Sequence, residues 1–179
     1  LTEANSSGAA RSAHSIIQQV ISSLRSTVGE LRPPTLIPFG LEKAIRSHMD
    51  RWQQIYPGLV VHLDLMSDGI SLSESGRLAL FRAYQQLISN VARHSQAENL
   101  WVRLILSAEQ VVLEVQDDGI GFNLPSRWVE LAREGHTGLI GISERIESFE
   151  GSMWVETLPE MGTLVHLSIP LERIKTRGK

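Results

Sequence analysis

Gln116-Asp117-Asp118-Gly119-Ile120-Gly121-Phe122 follows the run Val111-Val112-Leu113-Glu114-Val115, which alternates and is β-branched enough to predict a strand. Two carboxylates at the mouth of a strand, with glycines at alternate positions behind them, suit two purposes. One is a tight acidic hairpin turn, where Asp-Gly pairs are common. The other is a seat for a flat ligand. Gly119 and Gly121 permit positive φ or close backbone approach without a Cβ in the way. A carboxylate such as Asp117, held just before them, can accept a hydrogen bond from an exocyclic amine. The stretch by itself does not choose between the two.

Working outward, Leu100, Val102, Leu104 and Leu106 predict a strand that pairs with the Val111 strand across Ser107 to Gln110. Upstream, Leu78, Phe81, Tyr84, Leu87, Ile88 and Val91 give one face of a long helix, with Ser73 placed to cap its start. Gln86, Asn90, Arg93 and His94 share another side of that helix. An Asn carbonyl oxygen there can hold a magnesium ion, and Arg93 or His94 can neutralise phosphate oxygens. They also suit a plainer role, as an ordinary amide and two cations complementing a helix C-terminus. Downstream, Gly135-His136-Thr137-Gly138-Leu139-Ile140-Gly141-Ile142 opens a short helix carried by Leu139, Ile142, Ile146 and Phe149 and closed by Gly151. Unpaired N–H groups and the positive end of the dipole make such a start a phosphate seat. An ordinary glycine-rich loop running into a helix would look the same.

The remaining chain supplies the frame. Ala10, His14, Ile17, Ile21, Leu24, Val28 and Leu31 follow coiled-coil spacing, with Ile16 and Val20 widening the stripe as in a four-helix bundle. That helix is expected from Ser7 to Leu31, ending before Pro33-Pro34, and needs a partner helix. Leu41, Ala44, Ile45, Trp52 and Ile55 predict a second helix, and Leu59, Val61, Leu63 and Leu65 a strand. Two strands close the core, Met153 to Thr157 and Thr163 to Ile169. From Asn123 to Thr137 periodicity lapses, which predicts a mobile loop of lid length. The expected division is residues 1–34 as a bundle helix with linker, 35–171 as the main domain, and 172–179 as a solvated basic tail. The fold class is α+β, a mostly antiparallel sheet with helices on one face.

Composition narrows the function classes. A formal net charge of −3 offers no general attraction for nucleic acid or an anionic membrane surface. The absence of cysteine excludes disulfides and thiolate chemistry and fits a cytoplasmic location. No apolar run approaches the roughly 20 residues of a membrane span. The chain opens on Leu1 rather than methionine and is expected to be part of a longer protein, which could itself be membrane-anchored.

In this order and on these elements, the clusters resemble the GHKL (Bergerat-type) ATP-binding fold. Within it, the chain is similar to the catalytic domain of bacterial sensor histidine kinases of the NarX/DesK/LiaS type, from about Glu30 to Leu171. Leu31 to Leu36 with Gly40 to Ala44 resembles the junction between dimerisation helix and catalytic domain. Phe81 to His94 resembles the N box, Asp117 to Phe122 the G1 box and Gly135 to Ile142 the G2 box. Gly151 and Gly162-Thr163 match the closing hairpin.

The resemblance implies a two-layer α/β sandwich that binds ATP and Mg2+. Asp117 would meet the adenine amine with Thr163 assisting, and Gly119 and Gly121 would shape the adenine pocket. Gly138, Leu139 and Gly141 would close over the phosphates. Asn90 would hold the magnesium ion, with Arg93 and His94 as further catalytic residues. The implied reaction carries the ATP γ-phosphoryl group to a histidine on the dimerisation bundle of a homodimer, and from there to a response regulator.

Two departures stand out. Gln86 occupies the place of a glutamate that related ATPases use to activate water, and a neutral amide cannot take that proton. The acceptor histidine should precede an acidic residue, yet His14 precedes Ser15 and lies on the apolar seam. Residues 7–31 are therefore read as the second bundle helix, with no self-phosphorylation expected. Alternatives are a non-catalytic nucleotide-sensing or dimerisation module, or an anti-sigma-factor-like serine kinase. His48, His62 and His166 are given no role, and Trp101 and Trp154 are read as packing residues.

Overall fold

The computed structural model describes residues 36–69, 71–124 and 137–176. The bundle helix expected over residues 7–31, His14 with it, and most of the expected lid lie outside the described residues. A helical turn, α1 (Leu36–Phe39), leads into α2 (Leu41–Ile55). Leu41, Ala44, Ile45, Met49 and Trp52 recur at helical spacing along α2 and all are buried. The helix stops at Tyr56, since a residue before proline is pushed out of the helical region.

Gly40 precedes α2 with φ of 90° and no side chain to cap it. The cap comes from the far side of the next strand. Asp68 Oδ1 accepts the N–H groups of Leu41 at 2.7 Å and Glu42 at 3.2 Å. Its other oxygen receives Arg77 Nε at 2.6 Å. The two terminal nitrogens of Arg77 donate to the carbonyls of Ile37 and Gly69. Asp68 and Arg77 are both buried, so this knot ties α1, the start of α2 and the next helix together in a dry setting.

That helix, α3 (Glu74–Asn90), begins as the sequence predicts, with Ser73 Oγ accepting Gly76 N–H at 3.2 Å. Instead of ending at Asn90, the chain widens into a π-turn over Val91–Ser95 and breaks at Gln96, whose φ is 53°. The strands are β1 (Val60–Leu65), β2 (Asn99–Leu106), β3 (Gln110–Asp117), β4 (Ser152–Thr157) and β5 (Thr163–Pro170), with α4 (Thr137–Glu147) between β3 and β4. The sheet order is β1-β2-β3-β5-β4. β1 runs parallel to β2 because α3 is the crossover between them, and every other pairing is antiparallel. This is the expected α+β architecture.

Alternation decides the two faces of the sheet. Leu100, Val102 and Leu104 of β2, Val111, Leu113 and Val115 of β3, and Val165, Leu167 and Ile169 of β5 share one core with Phe81, Tyr84 and Ile88 of α3 and Ile146 of α4. Burying side chains of this size stabilises the fold by roughly 1.5–3 kcal/mol each. Trp101 and Trp154 fall in the opposite phase. They sit on the open face, 37% and 43% exposed, stacked on His62 and His166 with ring centroids 5.1 and 4.9 Å apart. Their role is therefore surface stacking rather than core packing.

The segment expected as a solvated basic tail begins instead with a folded turn, α5 (Leu171–Ile174). Ile174 is fully buried, and its carbonyl accepts Ser73 N–H at 2.6 Å. Arg173 pairs with Glu150, and Lys175 bridges to Leu72. One apolar residue in a basic run is enough to draw the segment onto the start of α3.

Removing one member of the buried Asp68–Arg77 pair leaves the other charge desolvated, which costs about 3–5 kcal/mol. Asp68→Ala is accordingly expected to lower urea-unfolding stability by about that much, and the double variant Asp68→Ala/Arg77→Met by clearly less. Equal losses in both variants would show that the helix cap, not the ion pair, carries the effect.

Candidate functional site

The ends of β3 and β5, the C-terminal turns of α3 and the first turns of α4 enclose a cavity of about 680 Å3. That lies within the usual size of small-molecule sites, roughly 300–1,000 Å3. Asn90, Arg93, His94, Asp117, Gly121, Gly138, Leu139, Gly141 and Thr163 all line it, as does Gln86. Gly119 does not.

Asp117 ends β3, facing Leu100 on one side and Thr163 on the other. That register puts it on the inner, helix-covered face, where it is 5% exposed. Oδ1 accepts Gly119 N–H at 2.9 Å. Burial raises its pKa above the ordinary carboxylate value; the Gly119 hydrogen bond opposes this and the neighbouring Asp118 charge adds to it. Asp118 points the other way and is exposed. Slight desolvation pushes its pKa up, but hydrogen bonds outweigh it and hold the carboxyl below its ordinary value. The donors are Asn99 N–H and Nδ2, both at 2.8 Å, and Glu98 N–H at 2.9 Å. One carboxylate of the pair thus pins β2 to the loop while the other lines the cavity.

Thr163 opposes Asp117 across the β3–β5 ladder. Its hydroxyl lies 3.2 Å from that of Thr157. Thr157 donates to Gly162 O at 2.9 Å and accepts Phe122 N–H at 3.1 Å, so Thr163 is the donor between the two hydroxyls. Thr157 holds the rim loop and the closing hairpin together. The sequence carries no sign of this, because a threonine ending a strand is ordinary.

Gly119 acts from behind the cavity. A Cβ there would collide with the backbone of Ser95, and Ile120 N–H donates to Ser95 O at 2.7 Å. Ser95 ends the π-turn, its hydroxyl donating to Val91 O at 2.9 Å. The turn that carries Arg93 and His94 is therefore clamped to the loop behind Asp117. A helical periodicity plot cannot reveal one extra residue in the last turn, which hid this contact from the sequence.

The third wall is α4. A Cβ on Gly138 would lie 2.8 Å from Gln86 Nε2, whereas one on Gly141 would meet nothing within 4 Å. Gly141 thus faces open space, and the first turn of an 11-residue helix stands over the cavity. Arg145 also lines it, one helical face along from Gly138 and Ile142. The sequence alone gave it no role, since its helical face becomes part of a cavity only once α4 lies beside α3. Asn90 Oδ1 accepts Gln86 Nε2 at 3.2 Å. Among the described residues no group of three or more His, Asp or Glu side chains could hold a metal. A magnesium ion here would have to share an amide oxygen with phosphate oxygens, a coordination that suits Mg2+.

Residues 76–173, more than half of the chain, match the family of histidine kinase-, DNA gyrase B- and HSP90-like ATPases. The chain belongs to this family. It is 32% identical over 155 residues to the sensor histidine kinase ComP of Bacillus subtilis, covering 87% of this chain and 20% of ComP. It is 32% identical over 151 residues to the histidine-protein kinase/phosphatase UhpB of Salmonella typhimurium, covering 84% and 29%. With the oxygen sensor histidine kinase NreB of Staphylococcus carnosus the identity is 28% over 156 residues, covering 87% and 44%. The chain thus spans less than half the length of these relatives. Among solved structures, the histidine kinase domain of Erythrobacter litoralis EL346 shares the fold with a TM-score of 0.62 at 18% identity, over 74% of this chain and 62% of that one. The ATP binding domain of PrrB from Mycobacterium tuberculosis does so with a TM-score of 0.53 at 24% identity, over 70% and 88%. The domain is the ATP-binding catalytic domain of the type that sensor histidine kinases carry. No described helix is long and apolar enough to cross a membrane.

Within this ATPase-family domain the buried Asp117 charge is a cost to folding. Because its folded-state pKa is raised, the cost is present above that value and is relieved as pH falls through it. Asp117→Asn keeps an oxygen for Gly119 and removes the charge. The nucleotide-free variant is expected to be more stable than the parent at neutral pH, with the difference shrinking as pH is lowered. Urea unfolding across that range checks this, and a variant less stable at neutral pH would refute it.

Proposed function

We propose that this domain holds ATP with magnesium and passes the γ-phosphoryl group to a histidine on a dimerisation helix, the first step of a relay to a response regulator. The observation that carries the reading is one cavity onto which the buried Asp117, the Asn90–His94 end of α3 and the first turn of α4 all open. Asp117 accepts the adenine amine, with Thr163 beside it and Gly121 letting the backbone pass close to the base. Gly138 and Leu139 offer backbone N–H groups and the positive end of α4 to the phosphates, and Gly141, with nothing within 4 Å of a Cβ, leaves room for them. Asn90 presents its carbonyl oxygen to magnesium, while Arg93 and His94 stand where phosphate charge gathers, joined by Arg145. Magnesium held there would neutralise phosphate charge. The domain itself contributes orientation and charge balance rather than covalent chemistry, as phosphoryl transfer requires. Gln86 supplies no proton acceptor for water, which favours transfer over hydrolysis. The acceptor histidine, the homodimer and the response regulator belong to this proposal, by analogy with the longer relatives.

Calorimetry with ATP and Mg2+ tests the nucleotide reading. One charge-assisted hydrogen bond in a partly dry pocket is worth about 1.5–3 kcal/mol, so Asp117→Asn is expected to weaken binding by more than about tenfold. Equal affinity in both proteins would remove Asp117 from the adenine site. For the transfer step, radiolabelled ATP is expected to leave acid-labile, base-stable label only when the chain is joined or mixed with a bundle helix carrying His-Asp or His-Glu. Label on this chain alone that vanishes in His14→Ala would overturn the placing of residues 7–31.

A further inference from the structure

Gln86 is more than a missing base. It stands one turn before Asn90 on α3, and its Nε2 donates to Asn90 Oδ1 at 3.2 Å. The terminal torsion of an asparagine is broad and roughly two-fold, so either its oxygen or its nitrogen can face a given direction. A donor at position 86 breaks that symmetry. It engages one lone pair of Oδ1 and leaves the second for a hard cation. On its other side Gln86 is packed under the start of α4, where a Cβ on Gly138 would lie 2.8 Å from Nε2 and 3.3 Å from Cδ. Only the missing side chain of Gly138 leaves room for the carboxamide in this place. A carboxylate in the same place has no proton to give a carbonyl oxygen. The neutrality that disqualifies Gln86 from activating water is what lets it orient Asn90.

We propose that Gln86 is a positioning residue, selecting the oxygen end of Asn90 for the divalent cation that accompanies the nucleotide. The proposal rests on the nucleotide reading above. It is tested by calorimetric titration of ATP in excess Mg2+ and again in EDTA, on the parent chain, Gln86→Met, Asn90→Ala and the double variant. Methionine keeps the length and removes the donor. The expected result for Gln86→Met is a loss of about fivefold to tenfold in affinity with Mg2+, as for one orienting hydrogen bond, and a change of less than about twofold in EDTA. Because Gln86 acts through Asn90, the double variant is expected to match Asn90→Ala. An unchanged Mg2+ gain in Gln86→Met overturns the proposal. Equal losses with and without Mg2+ also overturn it, since they mark a packing role, and so does a further loss of the Mg2+ gain on the Asn90→Ala background. A parent chain that binds no ATP under either condition refutes the nucleotide reading instead, and this proposal with it.

Discussion

The backbone of Gly119 lies so close to the carbonyl of Ser95 that no side chain fits between them. Most of the site follows from that contact. Gly119 belongs to the loop that ends the central strand, and Ser95 to the turn that ends the longest described helix. Their abutment, reinforced by Ile120 N–H on Ser95 O, holds Asp117 and the Asn90–His94 turn in one frame. Any residue but glycine would pry the two apart. The π-turn is the matching concession on the helical side: it spends one extra residue to bring Ser95 into reach.

The same logic sets where stability is given up. Asp117 is a buried carboxylate, and Gly138 leaves a helix terminus without a side chain to pack. These local costs are carried by the apolar layer between sheet and helices and by the buried Asp68–Arg77 knot at the entry to the domain. A rigid frame with locally unfavourable groups pointing into one cavity is the arrangement expected where binding, rather than folding, chose the residues.

Much of this was legible in the sequence, because its signals were periodic or local. Alternation in β2, β3 and β5 and the helical stripe of α3 gave the layers. The acidic-glycine stretch, the Asn90–His94 group and the Gly138–Ile142 turn marked three walls of the cavity. What stayed hidden depends on partners far away in the chain. Asp68 caps a helix 27 residues upstream, and nothing near either partner announces it. Thr157 and Arg145 look ordinary until β5 slots between β3 and β4. Gly119 was read as facing the ligand because glycine spacing does not say which side of the loop needs the room. The phase of Trp101 against Leu100 and Val102 marks the open face, where both tryptophans pack against histidines.

The strand order has a consequence for how the domain comes into being. β5 must insert beside β3 across a long stretch of chain before Thr163 can face Asp117, and pairings of such sequence separation are slow to close. The remaining walls come from α3, upstream of both strands, and α4, between them. No local piece of the polypeptide contains enough of the cavity to recognise anything. A ligand of this cavity would therefore reward only the finished topology, adding about 2.7 kcal/mol at a hundred times its dissociation constant and nothing to half-built intermediates. In a cell, occupancy would act as an inspection of the completed chain.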